Sequence, residues 1–242
     1  MNENINNLIK LTVIIPVFNE EKTLSTILNE IKYLKKICDL EVILINDGST
    51  DNTKAVISEN YDLYTKAINL DQNQGKGNAV IEGLKNSNGD YIIIQDADLE
   101  YDPKDIEKFL IKIKKNQADC IMGSRFTGNE RSVLNFWHMI GNKFITLLFN
   151  VMNNTAFTDI YCCYCLFHKN LVNPTKLKSN GWGQQAEILT YVVKNSKKTY
   201  EIAVNYNGRT YDDGKKIRYY NVFEVIYWML NTKLKIIFKI DK

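Results

Sequence analysis

Proline is scarce, at 3 residues in 242, so no long Pro-rich linker divides the chain. Cysteine is also sparse. The 5 cysteines are Cys38, Cys120, Cys162, Cys163 and Cys165, an odd and clustered set that does not read as a disulfide framework. Cys162-Cys163-Tyr164-Cys165 lacks a second ligand pair at zinc-like spacing, and a reduced, structural role is expected for it. No run approaches the roughly 18 apolar residues of a membrane span. The start, Met1 to Lys10, is polar and Asn-rich, without a charged-then-apolar leader. These absences lead to the expectation of a cytoplasmic protein. Net charge is also low: +3 is too small to imply a nucleic-acid partner. The excess is uneven, however. Lys194 to Lys242 holds 11 Lys/Arg against 5 Asp/Glu, a local net of +6, and such a tail meets phosphates, anionic lipid or only water.

Hydrophobic residues make up 45% of the chain and charged residues 24%, an ordinary globular balance. The length suits one large α/β domain or two small ones. Apolar, β-branched runs at Leu11 to Phe18, Glu41 to Asn46 and Tyr91 to Gln95 read as buried strands, with a short strand at Ala67 to Leu70. Helical spacing marks Asn19 to Tyr33 (Leu24, Ile27, Leu28, Ile31), Gly77 to Leu84 and Pro103 to Lys115 (Ile106, Phe109, Leu110, Ile113). Asp119 to Arg125 and Lys198 to Val204 read as further strands. Phe136 to Met152 and Asn221 to Ile240 read as helices. Strands alternating with helices imply an α/β fold, with a mostly parallel central sheet flanked by helices.

In such sheets ligands bind beyond the carboxyl ends of the strands. Those ends carry Phe18-Asn19-Glu20, Asp47-Gly48-Ser49 and Asp96-Ala97-Asp98, which together make one candidate site. Asp96 and Asp98 are spaced by two, which in an extended chain puts both carboxylates on one side. They would repel without a cation, and hard oxygen ligands suit Mg²⁺ or Mn²⁺ shared with substrate phosphates. Gly75-Lys76-Gly77-Asn78 precedes a helix. Its backbone N–H groups can approach an anion, or the segment is a flexible turn with a cap. It lacks the third glycine of a dinucleotide fingerprint and a Walker-type Gly-Lys-Ser/Thr. Arg209 to Lys216 is a polar, Gly-containing loop, either a solvated charged loop or one whose cations close over a diphosphate.

The pieces Thr12-Val-Ile-Ile-Pro-Val-Phe-Asn-Glu20, Ile45-Asn-Asp-Gly-Ser-Thr-Asp51, Asn73-Gln-Gly-Lys-Gly77 and Tyr91 to Pro103 (around Gln95-Asp-Ala-Asp-Leu-Glu100) occur in order. Gly123-Ser-Arg-Phe126, Phe136 to Asn142, Thr158-Asp159 and Arg209 to Ile217 follow. As an ordered set over nearly the whole chain, they resemble the family 2 glycosyltransferases of the GT-A (nucleotide-diphospho-sugar transferase) fold, in the branch of dolichyl-phosphate mannose synthase.

That resemblance implies a single domain over residues 1–242: a nucleotide-binding half at about 11–125, an acceptor half at about 126–220 and an amphipathic C-terminal helix at 221–240. It implies a nucleotide pocket lined by Pro16, Phe18, Glu20, Ile45 and Asp47. Asp96, Ala97 and Asp98 would hold ribose, metal and diphosphate. Arg125 would lie near the donor or acceptor phosphate, and Arg209 and Lys215 would reach the diphosphate from the loop. The implied reaction is inverting transfer from a UDP- or GDP-sugar, with a polyisoprenyl phosphate as favoured acceptor in cell-envelope synthesis. The alternatives are transfer to a saccharide hydroxyl and a catalytically silent nucleotide-sugar-binding protein. A hydroxyl acceptor needs a base, for which Asp159 and Glu187 are the candidates. Two departures from the branch, Gln185 in place of a common Glu and the Tyr161 to Cys165 segment, fall in the acceptor region. Lys233, Lys235 and Lys239 beside Trp228, Leu234 and Phe238 suggest a terminal helix that either rests on anionic lipid at the inner face of the membrane or packs on its own domain.

Overall fold

The computed structural model describes residues 8–128, 136–208 and 221–240. Seven strands form one sheet: β1 (Lys10–Val17), β2 (Asp39–Asn46), β3 (Lys66–Asn69), β4 (Tyr91–Ile94), β5 (Cys120–Ser124), β6 (Cys165–His168) and β7 (Thr199–Ala203). Their order is β3-β2-β1-β4-β6-β5-β7. All neighbours run parallel except β6, which is antiparallel to both β4 and β5. Helices α1 (Leu24–Ile31), α2 (Thr53–Glu59), α3 (Lys76–Asn86), α4 (Asp105–Asn116), α5 (Phe136–Asn153), α6 (Gln184–Asn195) and α7 (Asn221–Phe238) complete the elements that matter here. β1 is central and covered on both faces, which is why its sequence is a continuous apolar run rather than an alternating one. From Leu11 to Ile15 every residue is buried.

Helix formation follows the apolar period. Leu24, Ile27, Leu28 and Ile31 form the buried stripe of α1, and Ile106, Phe109, Leu110 and Ile113 that of α4. α4 also has Asp105 and Glu107 in its first turn and Lys114 and Lys115 in its last, each sign where the helix dipole favours it. The α-helix expected from Asn19 begins only at Leu24. Asn19 is left-handed (φ 55), and residues 19–21 are instead tied to the loop after β2. Ser49 Oγ accepts from Asn19 N at 3.0 Å, and Thr53 Oγ1 accepts from Glu20 N at 2.9 Å.

At the opposite, amino-terminal edge of the sheet, buried Thr12 joins three segments. Its hydroxyl donates to Glu41 Oε2 at 2.5 Å and accepts from Gly89 N at 2.9 Å. A Cβ on Gly89 would stand 2.6 Å from Thr12 N, so the turn before β4 fits only with glycine. Thr12→Val keeps the shape and removes the hydroxyl, orphaning a buried N–H. It is expected to cost about 1–3 kcal/mol, measured as a lower urea midpoint at unchanged m-value.

Candidate active site

Because β6 runs against the others, the carboxyl ends of β1, β2, β4, β5 and β7 share one edge with the amino end of β6. The order also reverses at β1, whose neighbours are β2 on one side and β4 on the other, and crevices open at such switch points. Into this edge come the loop after β1, Asp47 after β2, Asp96 after β4, Arg125 after β5 and Cys162-Cys163-Tyr164 before β6.

Asp96-Ala97-Asp98 is not extended as the spacing suggested. β4 ends at Ile94, Ala97 and Asp98 lie in a turn, and Leu99 is left-handed (φ 62). The carboxylates are still close enough to act on one another electrostatically. The cation beside them is a lysine. Lys76 Nζ lies 2.5 Å from Asp96 Oδ1, with the side chains 32% and 18% exposed. Asp98 Oδ1 accepts from Glu100 N at 3.1 Å. Burial, then the negative charges of Asp96 and Glu100, push the Asp98 carboxyl up to about 7. Glu100 escaped the sequence reading, although its spacing of two from Asp98 was a signal. Beneath the turn, buried Gln95 donates to Asp96 O at 3.0 Å and accepts from the Tyr164 hydroxyl. Tyr101 packs on Tyr164 at 5.0 Å between ring centroids.

Lys76 is aimed by its backbone. Asp47, buried, accepts from Gln74 N at 2.8 Å and Gly75 N at 2.9 Å with its two carboxylate oxygens. Gly77 N donates to Asn180 O at 2.7 Å. A Cβ would lie 2.4 Å from Asn180 O at Gly75, whose φ is +94, and 2.2 Å from Ser179 O at Gly77. The glycines of Gly75-Lys76-Gly77 therefore admit the backbone of residues 179–180 at the start of α3. The segment caps α3 with Gly75 at the N-cap, as one reading had it, but it is anchored at both ends rather than free, and the Gly75 and Gly77 amides are already bonded within the protein.

The family model for glycosyl transferase family 2 matches residues 12–174. The chain belongs to this family. A Proteus mirabilis undecaprenyl-phosphate 4-deoxy-4-formamido-L-arabinose transferase is 27% identical over 211 residues, 85% of this chain and 62% of that protein. The glycosyltransferase GlyA of Streptococcus pneumoniae is 29% identical over 153 residues, 63% of this chain and 22% of that protein. The chain thus spans less than two thirds of the length of both relatives. Glucosyl-3-phosphoglycerate synthase from Mycobacterium tuberculosis, solved with Mn²⁺, UDP and glucosyl-3-phosphoglycerate, superposes with a TM-score of 0.67 at 17% identity, covering 93% of this chain and 80% of that one. S. aureus TarS 1-349 with UDP-GlcNAc gives 0.62 at 16% identity, over 92% of this chain and 66% of that one. The likeness shows the GT-A fold.

The structure distributes the other family-implied residues unevenly. Pro16, Phe18 and Glu20 are partly exposed at the rim. Ile45 is fully buried, so it supports the floor and presents no surface to a ligand. Arg125 is not an open cation: its Nε and Nη2 donate to Asp159 Oδ2 and Oδ1 at 2.7 and 2.9 Å, with the two side chains 9% and 0% exposed. Asp159 also accepts from Arg125 N and Tyr161 N. Glu187, 1% exposed, accepts from Lys178 N and Ser179 N at 2.9–3.1 Å. Both general-base candidates are thus engaged in holding the chain in place. Arg209 and Lys215 lie outside the described residues. Gln185 Nε2 donates to Cys162 O at 3.1 Å, a bond that a glutamate could not make. All 5 cysteines are free and buried, in keeping with the structural role expected for them.

The crowded carboxylates suit a divalent cation, which would offset both the burial and the repulsion that raise Asp98. Among the described residues no group of three or more His, Cys, Asp or Glu could hold a metal ion by itself. Such an ion would therefore rest on one or two carboxylates and take further oxygens from a diphosphate, as Mg²⁺ and Mn²⁺ commonly do. If Asp159 serves Arg125, then Asp159→Asn should destabilise the protein by about 3–5 kcal/mol, the usual cost of breaking a buried pair. Urea unfolding measures this. Full stability with abolished turnover would instead return Asp159 to the chemistry.

Proposed function

We propose that this chain is an inverting glycosyltransferase that moves a sugar from a UDP- or GDP-sugar to a polyisoprenyl phosphate. The observation that carries the donor half is the Asp96/Asp98/Glu100 turn with Lys76, set at the switch-point edge of a GT-A sheet. When the sugar–phosphate bond breaks, negative charge grows on the leaving diphosphate. Mg²⁺ or Mn²⁺ bound at Asp98, with Asp96 or Glu100 beside it, would act as a Lewis acid for that charge. Lys76 adds a fixed positive charge at the same place, and Arg209 and Lys215 are proposed to complete it. Pro16, Phe18, Glu20 and Asp47 frame the base and ribose side. Asp47 does so through the Gln74–Gly75 loop that it holds.

Two observations favour a lipid phosphate over a saccharide hydroxyl. A phosphate is already an anion and needs no base, in keeping with the hydrogen bonds that occupy Asp159 and Glu187. Two neighbouring helices also expose apolar stripes. α5 shows Phe136, Ile140, Phe144, Leu147 and Val151, and α7 shows Phe223, Tyr227, Leu230, Leu234 and Ile237, each at least 42% exposed. Each stripe repeats at helical spacing on the face away from the core, the pattern of helices that lie in a membrane interface. Of the α7 residues read in the sequence, Leu234 and Phe238 are exposed, whereas Trp228 packs on Gly183 and Lys233 Nζ donates to Asn153 Oδ1 at 3.0 Å. Among the described residues no helix is long and apolar enough to cross a membrane. The Proteus mirabilis relative, named for undecaprenyl phosphate, supports the same acceptor class.

Incubation with labelled UDP- and GDP-sugars and a polyisoprenyl phosphate should move label into organic solvent. Label that stays aqueous with all donors rules out the lipid acceptor. Asp98→Asn should slow turnover by roughly 10²-fold or more at matched metal concentration; unchanged turnover would remove Asp98 from the site. For the membrane contact, Leu147→Ser with Ile237→Ser should weaken flotation with anionic vesicles by about tenfold or more, since each change withdraws an exposed apolar side chain. Equal flotation of variant and wild type would overturn that contact.

A further inference from the structure

Lys76 is too well fixed to be an incidental partner of Asp96. It opens α3, an 11-residue helix, and the residues on either side of it are locked. Gln74 N and Gly75 N are held by Asp47, and Gly77 N by Asn180 O. Its side chain crosses to the turn after β4, where Nζ sits 2.5 Å from Asp96 Oδ1 and 4.0 Å from Cys163 Sγ. Asp98 and Glu100 share the turn.

An ammonium has only donors and cannot ligate a metal. Its fixed charge repels a divalent cation approaching the turn alone, and it attracts a diphosphate. We infer that Lys76 is the resident counter-charge of this carboxylate turn and makes capture of a divalent cation depend on the nucleotide's diphosphate. The inference rests on the nucleotide-sugar reading above. Its physical content is a charge balance. With Lys76 paired to Asp96, the turn offers a bare ion less net negative charge than its carboxylates suggest. A diphosphate supplies the missing negative charge and further oxygens. Cation and nucleotide then enter as a pair, and the site does not fill with metal in their absence. Lys76 is thus a positioning and charge-setting residue for the donor.

The test is Mn²⁺ binding, read from the spectrum of free Mn²⁺ by electron paramagnetic resonance, with protein alone and with UDP or GDP added. Wild type should bind Mn²⁺ weakly alone and much more tightly with nucleotide. Lys76→Met and Lys76→Gln, both neutral, should bind bare Mn²⁺ about tenfold or more tightly than wild type, and the gain from added nucleotide should shrink. Lys76→Arg keeps the charge and should behave as wild type. Circular dichroism melting of each variant identifies any that does not fold, and the two neutral variants back each other. If wild type binds Mn²⁺ with nucleotide but neither neutral variant gains affinity for the bare ion, the role of Lys76 is overturned and the metal site stands. An equal gain in Lys76→Arg also overturns it, because charge would not be the cause. If wild type binds no Mn²⁺ even with UDP and GDP, the metal reading and this inference fall together.

Discussion

The contact between the Gly77 amide and the Asn180 carbonyl, 2.7 Å long, is one of the points at which the two halves of the chain meet, and the one that sets the direction of Lys76. Its demands are steric before they are chemical. Neither Gly75 nor Gly77 can carry a Cβ there, so residues 75–77 are largely backbone pressed against backbone. Both sides of the contact are braced. Asp47 grips the amides on one side, and Glu187 grips those of Lys178 and Ser179 on the other. Behind Glu187, Gly183 N is held by Glu224 of α7. The direction of Lys76 is therefore set by hydrogen bonds that run from the end of β2 to the terminal helix. Buried carboxylates that accept several amide bonds are good anchors, because each bond is charge-assisted and the group has no apolar alternative.

At the end of this frame is a deliberate conflict of charges. Burial, with the charges of Asp96 and Glu100 beside it, pushes Asp98 far from its ordinary value, and the Lys76 ammonium lies against Asp96. A core designed for stability alone would not gather carboxylates at a strand end. Local conflicts of this kind are expected where a protein does chemistry. By contrast, Arg125 and Asp159 balance one charge with one charge in a bidentate pair. The same residue types thus serve opposite ends a short distance apart. One cluster is a closed pair, and the other gathers several carboxylates around one lysine.

The parts of this arrangement that could be read from sequence are those written in local pattern. β1, β2 and β4 are runs of Ile, Val and Leu, and α1 and α4 repeat their apolar residues every three or four positions. Two elements left no such mark. α6 is buried nearly all round, from Ala186 through Val192, so it has no polar face to set a period. β6 has only four residues and, among the described residues, is the one antiparallel strand in an otherwise parallel sheet, entered from a Cys- and Tyr-rich segment. Asp96 and Asp98 were legible as a pair, but their geometry was not, because the left-handed Leu99 bends the chain where spacing alone suggests extension. Lys76 and Asp96 are far apart in sequence, and no local signal joins them. Arg125 and Asp159 matched family positions, but their mutual pairing is a tertiary fact.

The occupied carboxylates bear on the acceptor as much as on the fold. A hydroxyl acceptor requires a proton to leave as the new bond forms, and so requires an oxygen free to receive it. Asp159 spends its oxygens on Arg125 and Tyr161 N, and Glu187 accepts from Lys178 and Ser179. Releasing either would leave buried donors unsatisfied, a cost that falls on stability before any gain in chemistry. An acceptor that arrives as an anion avoids that cost. It needs positive charge to meet it, and the proposed lipid contact adds the exposed apolar stripes of α5 and α7. For the lipid phosphate proposed as acceptor, the hydrogen bonds that occupy Asp159 and Glu187 need not break.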